Sequence, residues 1–382
     1  MTAKLIENSE MRDNHGPDGS VAGAILTIDL GAVRENYRRL KRRLGGARCA
    51  AVVKANGYGL GAAEVVKALV KEGCDTFFVA HRSEGVALRA AVGSSPVIYV
   101  LNGLAPGAEE EAMAADLRPV LNSRPHLDAW QALASRSKRR LQAAVQVDSG
   151  MSRLGMQPAE VEILAANPSS FDDVEITLVM SHLACADEPN NPANAGQLAR
   201  FERLQKKLPR APVSFANSSG IFLGSAYHFD LGRPGVALYG VNPTPGHENP
   251  MLPVVKLEAR VIQTREVGAG AGIGYGYSLV AQEPMRLATI SLGYADGWHR
   301  RGVGFAWLGD IRLPFAGRVS MDSIILDISA LEPGQLKAGD LVEMIGPNQS
   351  VDVVAGYAST IGYEILTSLG SRFHRRYVDG QH

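Results

Sequence analysis

The run AAVVKANGYGLG at residues 50–61 decides the fold prediction and supplies the first candidate for chemistry. Its first four residues are apolar, and a run of this length is typical of a strand buried on both faces, as in a parallel sheet. Asn56, Gly57 and the glycines that follow indicate a tight turn. Lys54 is therefore predicted to lie where a buried strand becomes a loop. Partial desolvation of an amine there lowers its pKa and favours attack on carbonyl compounds.

Short apolar runs alternate with amphipathic segments from residue 25 to residue 231, and this alternation predicts βα units. Counted from the Lys54 strand, eight strands fall within roughly 200 residues, which is the size of a (β/α)8 barrel. An open doubly wound sheet is the alternative, but no Gly-x-Gly-x-x-Gly motif opens a first helix. The seven further predicted strands occupy residues 75–80, 96–101, 117–121, 141–148, 174–182, 213–217 and 229–231.

The pattern changes after residues 241–245, which read VNPTP. Later apolar or alternating runs are separated by Gly and Pro, and they predict a second, mainly β domain. Its predicted strands occupy residues 254–266, 287–292, 311–315, 323–328 and 341–345, and its predicted helix occupies residues 353–366. The predicted fold class is α/β, with a polar N-terminal extension (1–23), a (β/α)8 TIM-type barrel (24–250) and a C-terminal mainly β domain (251–382).

Composition narrows the class of protein. Lys and Arg together number 39, as do Asp and Glu, so the net charge is zero and a nucleic-acid or anionic-membrane binder is not expected. The three cysteines have no Cys-x-x-Cys spacing, which predicts a reducing compartment and no metal site. No apolar run reaches the ~18 residues of a membrane span, and residues 1–23 lack the apolar core of a secretory signal. The cytoplasm is the expected location.

Polar groups collect at one end of the predicted barrel, the C-terminal ends of the strands, where barrel enzymes place their active sites. Alone, each group has an ordinary structural explanation, because a strand-end lysine or arginine is usually solvated and a strand-end histidine usually hydrogen-bonded. Together at one rim they predict an active site. The groups are Lys54 after the first strand, Arg153 beyond the fifth, His182 on the sixth, Asn217 and Ser218 on the seventh and Arg233 on the eighth.

Two segments beside the last two strands predict a phosphate site. The run NSSG at residues 217–220 precedes a predicted short helix, and the run RPGV at residues 233–236 follows the eighth strand. Barrels commonly bind phosphate there through backbone N–H groups and a helix N-terminus. A reactive lysine across the barrel from such a site suits pyridoxal 5′-phosphate (PLP), which has an aldehyde at one end and a phosphate at the other.

An ordered set of short motifs resembles the alanine racemase family. Each motif alone is short, but the set follows the family order from about residue 25 to residue 377. The resemblance implies a PLP-binding barrel and a β domain that contributes to the partner subunit's active site in a head-to-tail homodimer. The motifs are VVKANGYG (52–59), VDSGMSRLG (147–155), SH (181–182), NS (217–218), RPGVALYG (233–240), GYG (274–276), GYADGW (293–298), GRVSMD (317–322) and YE (363–364).

The resemblance also implies the roles of the reacting groups. Lys54 holds PLP covalently and acts on one face of the substrate α-carbon, while Tyr275 from the partner subunit acts on the opposite face. Racemisation needs both, because a base that returns the proton to the same face restores the original hand. A tyrosine pKa of about 10 makes the phenol a weak base at neutral pH. His182 linked to Arg233 is implied to favour its phenolate, and Arg233 is implied to face the pyridine nitrogen and leave it unprotonated.

A carboxylate pocket and a phosphate cradle are implied as well. Arg153 is expected at the substrate carboxylate together with Met321 and Asp322 of the partner subunit, because a guanidinium can bind a carboxylate in a bidentate way. Tyr294 and Tyr363 are expected to narrow the entrance. The implied cofactor contacts are Lys54, Tyr58, Asn217, Ser218, Arg233, Gly235, Val236 and Tyr363.

Three positions depart from the family pattern. Gln146 stands where several members carry a carbamylated lysine that steadies the arginine, so a neutral amide would have to orient Arg153. Ser320 stands where cysteine is frequent, and Gly362 stands where asparagine is frequent. The departures at Ser320 and Gly362 are expected to loosen the carboxylate pocket or the entrance and to broaden the range of accepted side chains.

The main hypothesis is a PLP-dependent alanine racemase that supplies D-alanine for cell-wall peptidoglycan. A racemase of serine or another amino acid is the nearest alternative, because the sequence does not fix the volume of the pocket. A PLP-barrel decarboxylase is disfavoured by Tyr275 with Met321 and Asp322, and a non-catalytic PLP-binding protein by the presence of the β domain. A barrel without PLP is the least specific alternative. The sequence does not decide between a biosynthetic and a catabolic role.

Overall fold

The computed structural model describes residues 19–300 and 304–382. These residues form two compact units: one of residues 33–252, and one that joins residues 253–382 to the described residues before 33. Most of the predicted polar extension (1–23) lies outside the described residues. Within the described ranges, no helix is both long enough and apolar enough to cross a membrane.

The first unit is the predicted (β/α)8 barrel. Seven strands lie side by side in chain order, each parallel to the next. The eighth strand, Leu231–Gly232, pairs in parallel with Arg48–Cys49, which leads into the first strand, and the N–H of Arg233 bonds the carbonyl oxygen of Ala216 (2.9 Å) beyond the seventh strand. The sheet therefore closes. In chain order, the first seven strands are Ala51–Val52, Thr76–Val79, Val97–Val100, Leu117–Leu121, Leu141–Gln146, Val174–Met180 and Val213–Ser214.

The barrel strands are apolar because helices cover the outer face of the sheet and side chains fill its interior. Phe77, Phe78 and Val145 are fully buried. The helices bury one apolar stripe each, as Val65 and Leu69 do on the helix after the first strand. The helices are Leu30–Leu44, Ala62–Lys71, Arg82–Val92, Glu109–Ala114, Arg124–Ser137, Pro158–Ala165 and Ala193–Gln205, and the short 3-10 turns are Pro168–Phe171, Gly220–Phe222, Ser225–Tyr227 and Val236–Tyr239.

The second unit is mainly β, as predicted. Its longest strand, Val255–Val267, pairs in antiparallel fashion with Ala24–Asp29, Met285–Ile290 and Leu341–Ile345. The other strands are Gly272–Ile273, Leu279–Val280, Phe305–Leu308, Ile311–Pro314, Ile324–Asp327 and His374–Val378. Two helices, Val351–Tyr357 and Gly362–Ser368, and two 3-10 turns, Tyr275–Tyr277 and Tyr294–Asp296, complete this unit within the described residues.

The strand Ala24–Asp29 differs from the sequence-based division, which grouped residues 24–32 with the barrel. It pairs with Val255–Val267 on one side and with His374–Val378 on the other, so these residues belong to the second unit. The reason is that a strand is stabilised by whichever partner completes its backbone hydrogen bonds. The apolar pattern of six residues does not identify that partner.

The helix predicted over residues 353–366 is two helices in the structure. The first begins after Ser350, whose hydroxyl accepts from the N–H of Val353 (3.3 Å), and it ends at Tyr357. Ser359 then adopts a left-handed conformation (φ 55°), which interrupts the helical path before Gly362 begins the second helix. Serine in this conformation has no sequence signal as clear as glycine or proline, so the break was not predicted.

Candidate active site

Lys54 begins an unusual backbone turn at the C-terminal end of the first barrel strand. The four residues after it, from Ala55 to Tyr58, all have positive φ angles, between 52° and 63°. Three of the four carry a Cβ, and such residues seldom adopt the left-handed conformation because the Cβ crowds the following carbonyl oxygen. Residues with this strain persist where surrounding contacts hold them, which is common at functional sites.

The amine of Lys54 is half-buried, and its environment favours the neutral form. Burial is the main cause that lowers the pKa of Lys54, and the positive charge of Arg153 lowers the pKa further. The carboxylate of Glu84 acts in the opposite direction. More of the amine is therefore neutral, and nucleophilic, at a given pH than for an ordinary lysine.

Arg233 is a buried cation that is bound to neutral groups. Its side chain is 3% exposed, Nη1 donates to the hydroxyl of Ser214 (2.5 Å), and Nη2 donates to the carbonyl oxygen of Ser181 (2.6 Å). Burial lowers the pKa of Arg233 to about 9, so the group keeps its charge at neutral pH. Within the described ranges, no carboxylate pairs with this guanidinium, and its Nε has no hydrogen-bond partner.

His182 lies beside this cation. Its Nδ1 is 3.5 Å from Nη2 of Arg233. Burial, followed by the positive charges of Arg233, Arg153 and Lys54, lowers the pKa of His182 to about 3. The imidazole is therefore neutral at physiological pH. The charges of all three cations act on this one ring, so the four side chains lie within electrostatic range of one another. The sequence predicted this grouping for residues that follow the first, fifth, sixth and eighth strands.

The loop that carries Arg153 is ordered by a carboxylate. Oδ1 of Asp148 accepts the backbone N–H groups of Gly150 (2.8 Å), Met151 (3.0 Å) and Ser152 (3.2 Å), and the Arg153 side chain is exposed at the end of this loop. Gln146 is 7% exposed at the end of the fifth strand. No hydrogen bond joins its amide to Arg153 in the described part of the chain. The backbone bonds to Asp148, rather than a neutral amide, fix the base of the Arg153 loop.

Ser218 provides a hydrogen-bond donor beside the eighth strand. Its oxygen accepts the backbone N–H groups of Gly235 (2.9 Å) and Ala237 (3.2 Å), which occupies both lone pairs. The hydroxyl hydrogen must then point to another acceptor, and Ser218 is 4% exposed, so water is largely excluded from it. A buried O–H with this orientation is suited to a phosphate oxygen.

Tyr58 and Gly235 lie close to Ser218 in the same predicted phosphate site. A Cβ added to Gly235 would lie 2.3 Å from the hydroxyl oxygen of Tyr58, so only glycine permits this approach. The Tyr58 ring also packs on Tyr239, with ring centroids 4.7 Å apart. Val236 begins a 3-10 turn, so its N–H has no partner within that turn. Asn217 has a structural role in addition to any ligand contact, because its Oδ1 accepts the N–H of Gly220 (2.8 Å).

These groups fit PLP in their chemistry. A lysine with a lowered pKa matches the aldehyde, and the donors contributed by Tyr58, Ser218 and Val236 match a phosphate. The buried guanidinium of Arg233 has a free N–H for an acceptor such as a pyridine nitrogen. The residues that would hold PLP are therefore Lys54, Tyr58, Ser218, Arg233, Gly235 and Val236.

The remaining predicted site residues lie in the second unit and are largely exposed there. The backbone N–H of Ala295 bonds the carbonyl oxygen of Met321 (2.9 Å), which joins the loops of Tyr294 and Met321. Asp322 pairs with Arg372 (2.7 Å). Among these predicted site residues, Tyr275 (69%), Tyr294 (40%), Met321 (52%) and Tyr363 (38%) have exposed side chains.

Sequence reasoning missed several residues that support the site. Ser214 and Ser181 bind the guanidinium of Arg233, and Glu84 accepts a hydrogen bond from the turn after Lys54. Ser181 had a signal, since it precedes His182 in a quoted motif. Glu84 is the third residue of the helix Arg82–Val92, a position typical of a capping glutamate. Ser214 had no signal in the sequence, because a serine within a short strand is common.

Fold and site together define a class: barrel proteins with a lysine at the end of the first strand and neighbouring groups that fit PLP. The family model "Alanine racemase, N-terminal domain" matches residues 28–243, and "Alanine racemase, C-terminal domain" matches residues 254–377. The chain belongs to the alanine racemase family. It is accordingly a PLP-dependent isomerase.

Individual relatives agree with this assignment. The chain is 68% identical, over 94% of its length and 95% of the relative's, to a protein of Mesorhizobium japonicum named "Alanine racemase, catabolic". It is 53% identical, over 94% of its length and 92% of the relative's, to a protein of the same name from Agrobacterium fabrum. A crystal structure of alanine racemase from Bartonella henselae with covalently bound pyridoxal phosphate matches with a TM-score of 0.90 and 45% identity, covering 94% of this chain and all (100%) of that one.

Proposed function

We propose that the protein interconverts L-alanine and D-alanine as a homodimer, with Lys54 of one subunit and Tyr275 of the other on opposite faces of the α-carbon. The observation that carries the proposal is the half-buried Lys54, whose pKa is lowered, at the rim of a barrel from this family. The names of the relatives support alanine as the substrate.

The two proton-transfer groups differ in how they become bases. Nζ of Lys54 accepts or returns the α-proton on its face, and its lowered pKa leaves a lone pair available. Oη of Tyr275 does the same on the other face once it is a phenolate. His182 is neutral and accepts from Arg233 at Nδ1, so Nε2 carries the ring hydrogen and can donate to that phenolate oxygen.

Arg233 limits how strongly bound PLP would withdraw electrons from the substrate. Bound PLP supplies an electron sink for the charge that develops at the α-carbon. The guanidinium of Arg233 donates and does not give up its proton, so a pyridine nitrogen that faces it stays unprotonated. A weaker sink of this kind favours return of the proton to the α-carbon over side reactions such as transamination.

Arg153 is the proposed partner of the substrate carboxylate. Its exposed guanidinium can form two parallel hydrogen bonds to a carboxylate, with the backbone N–H of Met321 from the second subunit as a further donor. When the carboxylate and the amino nitrogen are fixed, two of the four substituents of the α-carbon have set positions. The α-proton then lies on one face, and the side chain takes the last position. Tyr294 and Tyr363 are proposed to limit the room for that side chain.

Support for the homodimer comes from exposed apolar side chains in the second unit. Tyr275, Tyr277 and Met321 are each more than half exposed, at 69%, 72% and 52%. Several large apolar side chains exposed on neighbouring loops are typical of an interaction surface. In a head-to-tail dimer these side chains would be covered by the partner's barrel rim, and Tyr275 would reach the partner's Lys54.

Two physiological roles are candidates, and the cytoplasm stays the expected location for both. The first is the supply of D-alanine for peptidoglycan, which the family resemblance suggested. The second is catabolic, and it is favoured by the names of the two relatives at 68% and 53% identity. Deletion of the gene separates them: D-alanine auxotrophy supports the first role, and loss of growth on alanine as the carbon source supports the second.

The direct test is incubation of the purified protein with L-alanine in D₂O. Exchange of the α-proton, seen by proton NMR, together with D-alanine in a chiral assay, supports the proposed reaction. Visible absorbance of lysine-bound PLP should accompany it. Absorbance without exchange on alanine, but with exchange on serine, would replace alanine by another substrate. Absence of exchange on every amino acid tested would contradict the proposal.

A further inference from the structure

The Lys54 turn is tied to a neighbouring barrel unit by one carboxylate. Glu84 lies in the first turn of the helix Arg82–Val92, which follows the second barrel strand. Its Oε1 accepts the backbone N–H of Ala55 at 2.6 Å. Its Oε2 accepts the N–H groups of Ala80 (2.7 Å) and His81 (3.1 Å). The two oxygens therefore bind different parts of the chain.

The bonds to Oε2 are the ordinary function of a glutamate at this place, because a glutamate in the first turn commonly caps the N–H groups at the start of its own helix. The bond to Oε1 is different. Ala55 is 29 residues away in sequence and is the first of the four residues with positive φ. Its methyl side chain is exposed, so packing does little to hold its backbone in the left-handed conformation.

We infer that Glu84 is a positioning residue for Lys54: its carboxylate holds the left-handed turn that carries this lysine and Tyr58. Three N–H donors on one carboxylate form charge-assisted hydrogen bonds, which are stronger than neutral ones. A strained turn needs such support, since each left-handed residue with a Cβ favours another conformation. As a statement about catalysis, this inference rests on the proposed function.

The charge of Glu84 also acts on the amine itself. The groups that affect Lys54 are the barrel interior that buries it, the positive charge of Arg153 and the negative charge of Glu84, and Lys54 in turn acts on His182. Burial and Arg153 lower the pKa of Lys54, whereas Glu84 raises it. Neutralising Glu84 removes the opposing contribution, so the pKa of Lys54 should fall further.

The barrel contains a matched control. Glu160 lies in the first turn of the helix Pro158–Ala165, where Oε2 accepts the N–H of Gln157 (2.8 Å) and Oε1 accepts the N–H of Arg124 (3.1 Å) after the fourth strand. Both glutamates are half-buried and both join two successive barrel units. Arg124, however, begins an ordinary helix and carries no proposed catalytic group.

The experiment compares Glu84→Gln with Glu160→Gln in the holoenzyme. An amide has one acceptor oxygen, so glutamine cannot bind donors at both ends as the carboxylate does. In Glu84→Gln we expect kcat for alanine to fall at least about tenfold while KM changes less than about twofold, because a displaced Lys54 affects chemistry more than binding. Glu160→Gln should keep both values near those of the wild type.

Two readouts are independent of turnover. Hydrogen exchange followed by mass spectrometry should speed up in the peptide of residues 54–60 in Glu84→Gln and stay unchanged there in Glu160→Gln. In the apoprotein, reductive methylation of Lys54 should reach half its maximal rate at a lower pH in Glu84→Gln than in the wild type. If the wild type does not racemise any amino acid, the proposed function fails, and these two readouts still test the positioning role.

Glu84→Asp separates the helix cap from the turn. Aspartate keeps the charge and can still cap its own helix, but its shorter side chain does not reach Ala55 at the same time. We expect stability close to the wild type with faster exchange over residues 54–60. The inference is overturned if both Glu84 variants match Glu160→Gln in kcat and in exchange of that peptide. It is also overturned if Glu160→Gln lowers kcat to the same extent.

Discussion

The loops after the first and fourth barrel strands are held in the same way and have opposite backbone conformations. A first-turn glutamate of the next unit bonds the N–H of Ala55 in one loop and of Arg124 in the other. Ser123, before Arg124, is extended (φ −160°), and an ordinary helix follows. Ala55 opens a left-handed turn instead. The same type of anchor therefore occurs in two units of this barrel, and of these two loops only the one that positions the lysine has a strained backbone.

The largest effect should come from removing the lysine. We expect Lys54→Ala to lower the rate of racemisation by more than about 10⁴-fold, because both a nucleophile and a proton carrier are lost. The visible absorbance of lysine-bound PLP should disappear as well. Lys138→Ala is the control, since Lys138 also has a left-handed conformation (φ 52°) but ends the helix that Arg124 begins. Near wild-type turnover in Lys54→Ala would remove Lys54 from the mechanism.

A substitution at Tyr275 extends the comparison to the second unit. The turn Tyr275–Tyr277 also contains positive φ angles, at Gly276 (66°) and Tyr277 (45°). Tyr275→Phe should reduce racemisation by about 10²–10⁴-fold, the usual contribution of a general base or acid, with PLP absorbance unchanged. Tyr277→Phe should have little effect. If Tyr275→Phe converts L-alanine to D-alanine and D-alanine to L-alanine at the rates of the wild type, the role of this tyrosine is refuted.

Gly235→Ala tests whether Tyr58, at the end of the left-handed turn, contributes to the phosphate cradle. The new Cβ would lie 2.3 Å from the hydroxyl oxygen of Tyr58 and would displace it. We expect the Kd for PLP to rise about 10–100-fold, in line with the loss of one or two good hydrogen bonds. Absorbance titration of the apoprotein measures it. Gly46→Ala, where no atom lies within 4 Å of the added Cβ, should leave the Kd unchanged.

The smallest effect should be on stability. Glycine adopts positive φ without strain, so Ala55→Gly should stabilise the apoprotein by about 1 kcal/mol. Arg124→Gly places glycine at the start of a regular helix and should instead destabilise it by about 0.5–1 kcal/mol. Urea unfolding of both variants measures the difference. Destabilisation by Ala55→Gly would mean that the turn is not strained.

Much of the barrel and the rim of the site could be predicted from the sequence. The closed eight-stranded sheet was predicted correctly, because buried parallel strands have a distinctive apolar pattern. Lys54, Arg153, His182 and Arg233 were predicted at one rim because parallel strands end together, and in the structure the charges of the other three all act on His182. Their individual roles stay predictions.

Other features depended on interactions that the sequence does not record. The sequence indicated a turn after Lys54, but Asn56 and Gly57 did not reveal that Ala55 and Tyr58 are also left-handed, since that conformation needs support from Glu84 and other distant groups. The partner of the strand Ala24–Asp29 was missed for the same reason, because it lies more than 200 residues further along the chain.

Arg233 has a consequence for the amount of this protein in a cell. The guanidinium is buried, and its hydrogen bonds to two oxygens and a ring nitrogen offset only part of the free-energy cost of removing it from water. PLP would add a further acceptor, and because PLP binds only the native state, it would stabilise that state. The apoprotein should then unfold more often than the holoenzyme, and proteases remove unfolded chains. When vitamin B6 is scarce, the cell would lose the polypeptide itself as well as its activity.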